Sequence, residues 1–600
     1  MSESPEQPKI SLPKTSESDT LHRIRHTTSH VMAMAVQKLF PGTQVTIGPA
    51  TDYGFYYDFD VSEPFETSDL KKIKKEMIKI IKKGFPVIRE EVSREEAQHR
   101  IEDLKEPYKL EILGDIPTGE NISFYHLGDQ WWDLCAGPHV ETTKDIHPKA
   151  FDLLSVAGAY WRGDENKAQL QRIYGTAWET PEQLQAYKKR LEEAKQRDHR
   201  KLGKELGLFL FSDDVGPGLP LWTPKGTILR STLEDYLKKE QLKRGYLPVT
   251  TPHIARVDLF RTSGHWQKYK EDMFPIMSED DESRANEVGF VMKPMNCPFH
   301  IQIYKNELRS YRDLPLRFAE FGTVYRYEQS GELGGLTRVR GFTVDDSHLF
   351  VTPEQLDDEF LKVVDLILSV FEKLGLKDFS ARLSFRDPNS DKYLGSDEAW
   401  EKAQGAIRRA VQKLEMPYFE EEGEAAFYGP KLDFIFRDVL DREWQLGTVQ
   451  VDYQLPERFD LEYVAEDGVR KRPVMIHRAP FGSLERLVGI LIEQYAGDFP
   501  FWLAPEQVRI LPISDQFSEY ADTVRQSLAE ADIRVTVDNA SDRLGKKIRN
   551  AEKAKIPYML VVGADEQESK TAAVRSRKGG DAGSLAIADL ATKLQELAEQ

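Results

Sequence analysis

The most constraining stretch of the 600-residue chain is TRVRGFTVDDSHLF, residues 337–350. Read as a strand, its period-two alternation puts Arg338, Arg340, Phe342, Val344, Asp346 and His348 on one face. Two arginines, a ring, a carboxylate and a histidine are costly to bury, so this is a ligand surface rather than a core face. Just upstream, LPLRFAEFGTVYRYE is a second strand candidate ending near Arg326 and Glu328, and SGELGGL is the glycine-bearing turn between the two. A strand–loop–strand of this kind suits a nucleotide, because guanidinium forks bind phosphate and a ring stacks on a base. The competing reading is a surface hairpin with scattered ion pairs.

The chain contains no GxxxxGK[ST] loop and no GxGxxG after a strand, so nucleotide binding must use another solution. A net charge of -18 gives no general attraction to nucleic acid or anionic lipid, although a local basic surface would suffice. Two stretches offer one, KKIKKEMIKIIKKG at 71–84 and RLGKKIRNAEKAK at 543–555; each also reads as the solvated face of an amphipathic helix. Two cysteines, Cys135 and Cys297, exclude a disulfide framework and fit a reducing cytoplasm. No apolar run is long enough to span a bilayer, so no membrane association is expected.

Composition divides the chain. Residues 1–20 read as a disordered polar tail, and 21–178 mix helical and strand-like stretches. Thr180-Pro181-Glu182-Gln183 is a capping-box start for a linker helix over 179–207, with a narrow apolar stripe at Leu184, Tyr187 and Leu191. The same signal recurs at Thr352. Residues 208–502 form the largest unit. From 503 to 600, VRILPIS, IRVTVD, PYMLVVG and AAVRSR alternate with helical stretches, as in a small α/β domain.

Residues 26–30 read HTTSH and residues 135–139 read CAGPH. On a helix, His26 and His30 share a face one turn apart. With Cys135 and His139 they would complete a tetrahedral zinc site, and the spacing alone favours metal. A metal-free pocket, or unrelated core and surface residues, remain the alternatives.

The strand–loop–strand resembles motif 2 of class II aminoacyl-tRNA synthetases, and the HIGH and KMSKS signatures of class I are absent. GYLPVTTPHI (245–254) resembles motif 1, and FGSLERLVGILIE (481–493) resembles motif 3. MKPMNCPFH, RVRGFTVDDSHLF, AFYGPKLDF, WQLGTVQVDY and MIHRAPFGSLER follow the threonyl-tRNA synthetase family closely, from about residue 21 to the C-terminus. The resemblance implies an α+β multidomain chain. Its parts are an α+β editing domain (21–178), the linker helix (179–207), a class II antiparallel sheet flanked by helices (208–502) and a C-terminal α/β anticodon-binding domain (503–600).

The resemblance also implies roles. Cys297, His348 and His477 would hold one zinc ion per chain and leave a coordination position open. His300, beside Cys297, reads as a helix or core histidine. Arg326, Arg338 and Arg486 would be catalytic. With Glu328, Phe342, Lys431, Gln445 and Thr448 they would bind ATP and its Mg2+, while Met295, Asp346, Tyr428 and Gln450 would bind L-threonine. Two positions depart from the family pattern: Val344 stands where glutamine is common, and Pro480-Phe481 where aliphatic residues are usual.

A polar threonine site rejects valine strongly, but one methyl group separates serine by only about 1–3 kcal/mol, so a second, proofreading site is expected. By resemblance His26, His30, Cys135 and His139 are that site and act on seryl-tRNA without metal, with Tyr57, Lys109 and Asp133 beside them. Glu568 and Arg577 match positions that read anticodon bases. The expected activity is ligation of threonine to tRNA(Thr), with editing, in a homodimer formed through motif 1. A synthetase-like regulator that binds RNA without aminoacylating it and a stand-alone metallohydrolase of mischarged tRNA are the rival functions; Arg326, Arg486 and the three zinc-ligand positions disfavour the first, and the large central unit the second.

Overall fold

The computed structural model describes residues 10–599 except 165, 279, 391 and 415. The chain divides into two compact units, Met1–Glu193 and Ala194–Gln600. No helix among the described residues is long and apolar enough to cross a membrane.

The first unit is built around the helix Asp19–Leu39, whose N-cap Ser18 accepts a hydrogen bond from the Leu21 N–H. Most of its residues from Ile24 to Val36 are buried, and it packs on a sheet ordered Gln44–Val45, Gly54–Asp60, Gln169–Ala177, Phe151–Tyr160. A second sheet runs Val87–Val92, Ile122–Leu127, Trp131–Leu134. Within the expected tail, 1–9 lie outside the described residues. The segment from Pro13 is anchored: the buried Arg25 guanidinium donates to the Pro13 carbonyl and the Thr15 hydroxyl. The lysine-rich run lies on Thr67–Lys83, with Ile73, Met77, Ile80 and Ile81 buried and most of the lysines exposed, an ordinary amphipathic helix.

The capping box at Thr180 forms, and the helix Pro181–Arg197 follows. Along its stripe Leu184 and Tyr187 are buried with Leu21, Ala150 and Trp178, and Leu191 packs alongside.

The second unit holds an eight-stranded sheet in the order Leu247–Pro248, Leu316–Tyr325, Gly341–Val351, Val474–Ala479, Glu443–Asp452, Lys431–Arg437, Phe379–Phe385, Tyr418–Glu422. Its pairs are antiparallel except the outermost one at each edge. The helices Pro224–Lys243, Leu356–Lys373 and Leu484–Gln494 contribute buried leucines, valines and isoleucines to the core beside it. Such a sheet can leave one face free for polar side chains. The C-terminal segment adds a five-stranded sheet, Val535–Val537, Val508–Pro512, Tyr558–Val562, Thr571–Ser576, Gly580–Ala586. Its last hairpin strand, GDAGSLA, gave no alternation signal.

Candidate active site and metal centre

The register of the large sheet assembles the site. Along one row Phe318 pairs with His348, His348 with His477, His477 with Gln450 and Gln450 with Lys431. In a second row Glu320 pairs with Asp346, and Ala479 with Thr448, which pairs with Asp433. Partners directly opposite share a face, so residues far apart in sequence become neighbours. The strand begins only at Gly341, which corrects the alternation drawn through residues 338–348: Arg338 and Arg340 lie in the loop before it. Arg340 leaves the ligand face, donating to the Glu328 carbonyl and stacking over Tyr327.

Cys297, His348 and His477 are buried, with donor atoms within 4.8 Å of one another. Cys297 opens the helix Cys297–Lys305, while the two histidines come from adjacent strands. His477 Nε2 lies 2.8 Å from Asp452 Oδ2, and His348 Nδ1 lies 2.9 Å from His300 Nδ1. The other ring nitrogens, His477 Nδ1 and His348 Nε2, are buried and unpartnered. Two orphaned nitrogens beside a buried thiol fit a metal ion of intermediate softness, and carboxylate support behind a histidine is the usual outer sphere. Burial pushes the Cys297 thiol well above its usual range and His348 well below, so without a cation both are neutral. His300 is more than a core residue, because its ring sits between His348 and Glu320.

Beside this cluster, Asp346 accepts a hydrogen bond from Asn296 Nδ2 at 3.1 Å, and burial raises its carboxyl pKa. The Tyr428 hydroxyl donates to Gln450 Oε1 at 2.6 Å, and its ring stacks on His477 at 4.9 Å. Met295 Sδ is 3.5 Å from Arg326 Nη2.

A cavity of about 330 Å³ is lined by Arg326, Arg338, Phe342 and Arg486, with Gln445 and Thr448 opposite. A second, of about 250 Å³, shares Arg326, Glu328 and Arg338 and adds Met295. Arg326 lies 5.2 Å above the Phe342 ring, Arg338 pairs with Glu328 at 3.2 Å, and Arg486 donates to the Thr337 carbonyl at 3.0 Å. Burial, then Arg326 and Arg338, lower the Arg486 pKa: three cations converge on a space with too few anions. Asp345 accepts from the Phe481 N–H and Glu485 from the Thr343 N–H, fastening the loop before the Leu484–Gln494 helix to this wall. Phe481 is thereby a core residue, and Val344 gives the cavity an apolar patch.

Lys431, Gln445 and Thr448 converge on a residue the sequence reading missed. Fully buried Asp433 accepts from Gln445 and Thr448 at 2.8 Å, pairs with Lys431 at 3.1 Å, and also receives Arg382 and Ser384. Alternation in LDF and VQVDY, which puts Asp433 with Lys431 and Asp452 with Gln450, was the available signal.

In the first unit, Cys135 Sγ lies 3.4 Å from His26 Nε2 and 3.3 Å from His139 Nε2. His26 Nδ1 faces the Pro138 carbonyl and His139 Nδ1 faces Thr27 Oγ1, whose own proton goes to the Arg23 carbonyl. Both Nδ1 atoms therefore donate, and both Nε2 lone pairs face the thiol. His30 lies 3.5 Å from Asp133, which also accepts from Tyr57 at 2.6 Å and pairs with Lys109. This cluster has donors for a metal or for a bound water. Burial pushes Cys135 up to about 12 and brings His26 down to about 4, so thiol and imidazole are neutral near pH 7. In the C-terminal segment Glu568 is exposed, whereas Arg577 pairs with Asp498 and donates to the Lys555 carbonyl.

The model of the tRNA synthetase class II core domain (G, H, P, S and T) matches residues 279–495, and that of the anticodon binding domain matches 507–597. The second additional domain of threonyl and alanyl tRNA synthetases matches 122–174. Fold and site thus define a class II aminoacyl-tRNA synthetase with an editing-type appendage. The threonine–tRNA ligase of Synechocystis sp. is 74% identical over 586 residues, 98% of this chain and 97% of its own, and that of Gloeobacter violaceus is 70% identical over 586 residues, 97% of this chain and 93% of its own. The crystal structure of the RNA binding domain of threonyl-tRNA synthetase from Cryptosporidium parvum is 40% identical with a TM-score of 0.63, covering 67% of this chain and 98% of its own. The chain belongs to the threonine–tRNA ligase family.

Proposed function

We propose that the chain activates L-threonine with ATP, transfers it to the terminal ribose of tRNA(Thr), and hydrolyses seryl-tRNA(Thr) in its first unit. One observation carries the reading: the arginine-lined cavity around Phe342 and the Cys297–His348–His477 cluster lie on one face of one sheet.

The threonine carboxylate attacks the α-phosphorus; a P–O bond forms and the bond to pyrophosphate breaks. Arg326 and Arg486 take up charge on the phosphates, with Mg2+ accompanying ATP. Phe342 offers a face to adenine, and Glu328 a carboxylate to its amino group. Arg338, released from Glu328, reaches the pyrophosphate side. Lys431, Gln445 and Thr448, held by Asp433, order the far wall. Asp346 receives the amino group, and Tyr428 with Gln450 and Met295 shapes the side-chain pocket. A Zn2+ ion held by Cys297, His348 and His477 supplies, when bound, a Lewis acid for the amino and β-hydroxyl groups that valine cannot satisfy.

We assign His26, His30, Cys135 and His139 to binding and activating water, without metal, for ester hydrolysis. The segment after 503 would read the anticodon through Glu568 and, once freed from Asp498, Arg577. Exposed Leu247 and Ile254, in the motif 1 stretch, suit a homodimer interface.

ATP–pyrophosphate exchange with threonine, serine and valine tests the synthetase reading. Strong exchange with threonine, weaker with serine and negligible with valine supports it; no exchange with threonine overturns it. One Zn2+ per chain, lost on Cys297→Ser, is expected; two would overturn the metal-free editing site.

A further inference from the structure

Behind His348 runs a chain of buried hydrogen bonds whose directions are all determined. Lys293 Nζ donates to Thr251 Oγ1 at 2.8 Å. An ammonium cannot accept, so the Thr251 hydroxyl proton goes to Glu320, whose Oε2 is 2.9 Å away. The Thr251 N–H donates to Glu320 Oε1 at 2.6 Å. Glu320 is thus the acceptor throughout, and His300 Nε2, 3.1 Å from its Oε2, must carry a proton. In a neutral ring His300 Nδ1 then accepts, and its partner at 2.9 Å, His348 Nδ1, donates. This leaves His348 Nε2 as a bare lone pair facing Cys297 and His477. The nearest carboxylate oxygen to it, on Asp346, is 3.7 Å away, beyond hydrogen-bond range.

We propose that Glu320 and His300 are positioning residues that fix His348 as the Nδ1–H tautomer and so set the metal affinity of the site. The inference rests on the reading of Cys297, His348 and His477 as a metal centre. The fold supports it compactly: one helix, Cys297–Lys305, carries both the cysteine and His300 one turn later, and Phe318 and Glu320 on the neighbouring strand stand opposite His348 and Asp346. His300 is fully buried and Glu320 nearly so, so neither has water as a substitute partner.

The isosteric change Glu320→Gln separates polarity from packing. The two Thr251 donors retain the amide oxygen, so the amide nitrogen faces His300 Nε2. The relay then reverses: His300 Nδ1–H donates to His348 Nδ1, and the proton on His348 moves to Nε2, where it blocks the site. Zn2+ affinity is measured on the full chain by competition with a chromophoric chelator. Loss of an outer-sphere partner is expected to weaken binding about 10–100-fold. Glu320→Asp, shorter but still an acceptor, is expected to bind more tightly than Glu320→Gln; a purely steric role requires the opposite order. His300→Phe keeps a ring and removes the relay, and serves if Glu320→Gln does not fold; its affinity should fall by a similar factor. Wild-type affinity in whichever of these two variants folds, or Gln binding more tightly than Asp, overturns the relay alone. If the unaltered chain binds no Zn2+ that Cys297→Ser abolishes, the metal reading fails and the relay falls with it.

Discussion

Asp452 Oδ2 lies 2.8 Å from His477 Nε2, while its Oδ1 accepts from the N–H groups of Gln454 and Leu455. One carboxylate therefore caps a short helix and directs the free Nδ1 of His477 toward Cys297. In Asp452→Asn the two N–H donors keep the amide oxygen, and the amide nitrogen turns a donor toward His477. Zn2+ affinity is expected to fall about 10–100-fold, and threonine-dependent pyrophosphate exchange to fall with it. Chelator competition and exchange assays on the same preparation check the coupling.

Asp433→Ala should raise the KM for ATP and lower stability together. It deprives Lys431, Gln445 and Thr448 of their shared acceptor and leaves Arg382, largely buried, with weaker partners. Removing one partner of a buried charge network costs roughly 3 kcal/mol or more. Denaturant unfolding and ATP titration of the exchange reaction measure the two effects.

The sequence exposed chemistry better than geometry. Alternation through Phe342, Asp346 and His348 survives in the structure because the strand starting at Gly341 has a pleat that enforces it. Arg338 and Arg340 fall outside it because the glycine-rich turn extends further than the pattern suggested. The thiol of Cys297 and the rings of His348 and His477 meet only through strand register and a helix start, which no local spacing encodes. For Asp433 and Asp452 the only trace was the alternation that puts them on the faces of Lys431 and Gln450, and Glu320, in a strand, and Thr251, in a loop, carry no signal until their partners are known. His26, His30, Cys135 and His139 were legible as a cluster, since the helix brings the first pair together and a short loop the second. What they bind was not, because lone pairs facing one thiol suit a metal and a water alike.

Protonation should limit the pH range over which the first unit is stable. Burial brings His26 down to about 4 and places His30 and His139 below the ordinary histidine range. Unfolded imidazoles titrate near ~6.5, so below that pH the unfolded chain takes up protons the folded unit refuses. Stability of the first unit therefore falls as pH drops from about 6.5 toward 4. Glu106, raised to about 7 by burial, opposes this, since its folded form gains a proton as pH falls through 7. Three histidines against one carboxylate give a net loss, measurable in the full chain as falling protection over 19–39 once each exchange rate is divided by the intrinsic rate at that pH. Enzyme-dependent deacylation of seryl-tRNA should hold a plateau to about pH 5, because His26 stays neutral there. His30→Ala should leave threonine activation unchanged while seryl-tRNA accumulates.

Tyr428→Phe tests how the pocket separates threonine from valine. The hydroxyl donates to Gln450 Oε1 at 2.6 Å, and the ring is held by its stack on His477, so the phenylalanine ring should keep its place. What is lost is the bond that orients Gln450 in the pocket proposed for threonine. A single neutral hydrogen bond is worth about 0.5–1.5 kcal/mol, so the KM for threonine should rise up to about tenfold. Valine, which lacks the hydroxyl that a positioned amide would recognise, should be activated no worse than before, and the threonine-to-valine ratio of kcat/KM should shrink by the same factor. Pyrophosphate exchange with both amino acids measures that ratio. An equal loss for both would mean that Tyr428 supports the pocket as a whole rather than its selectivity.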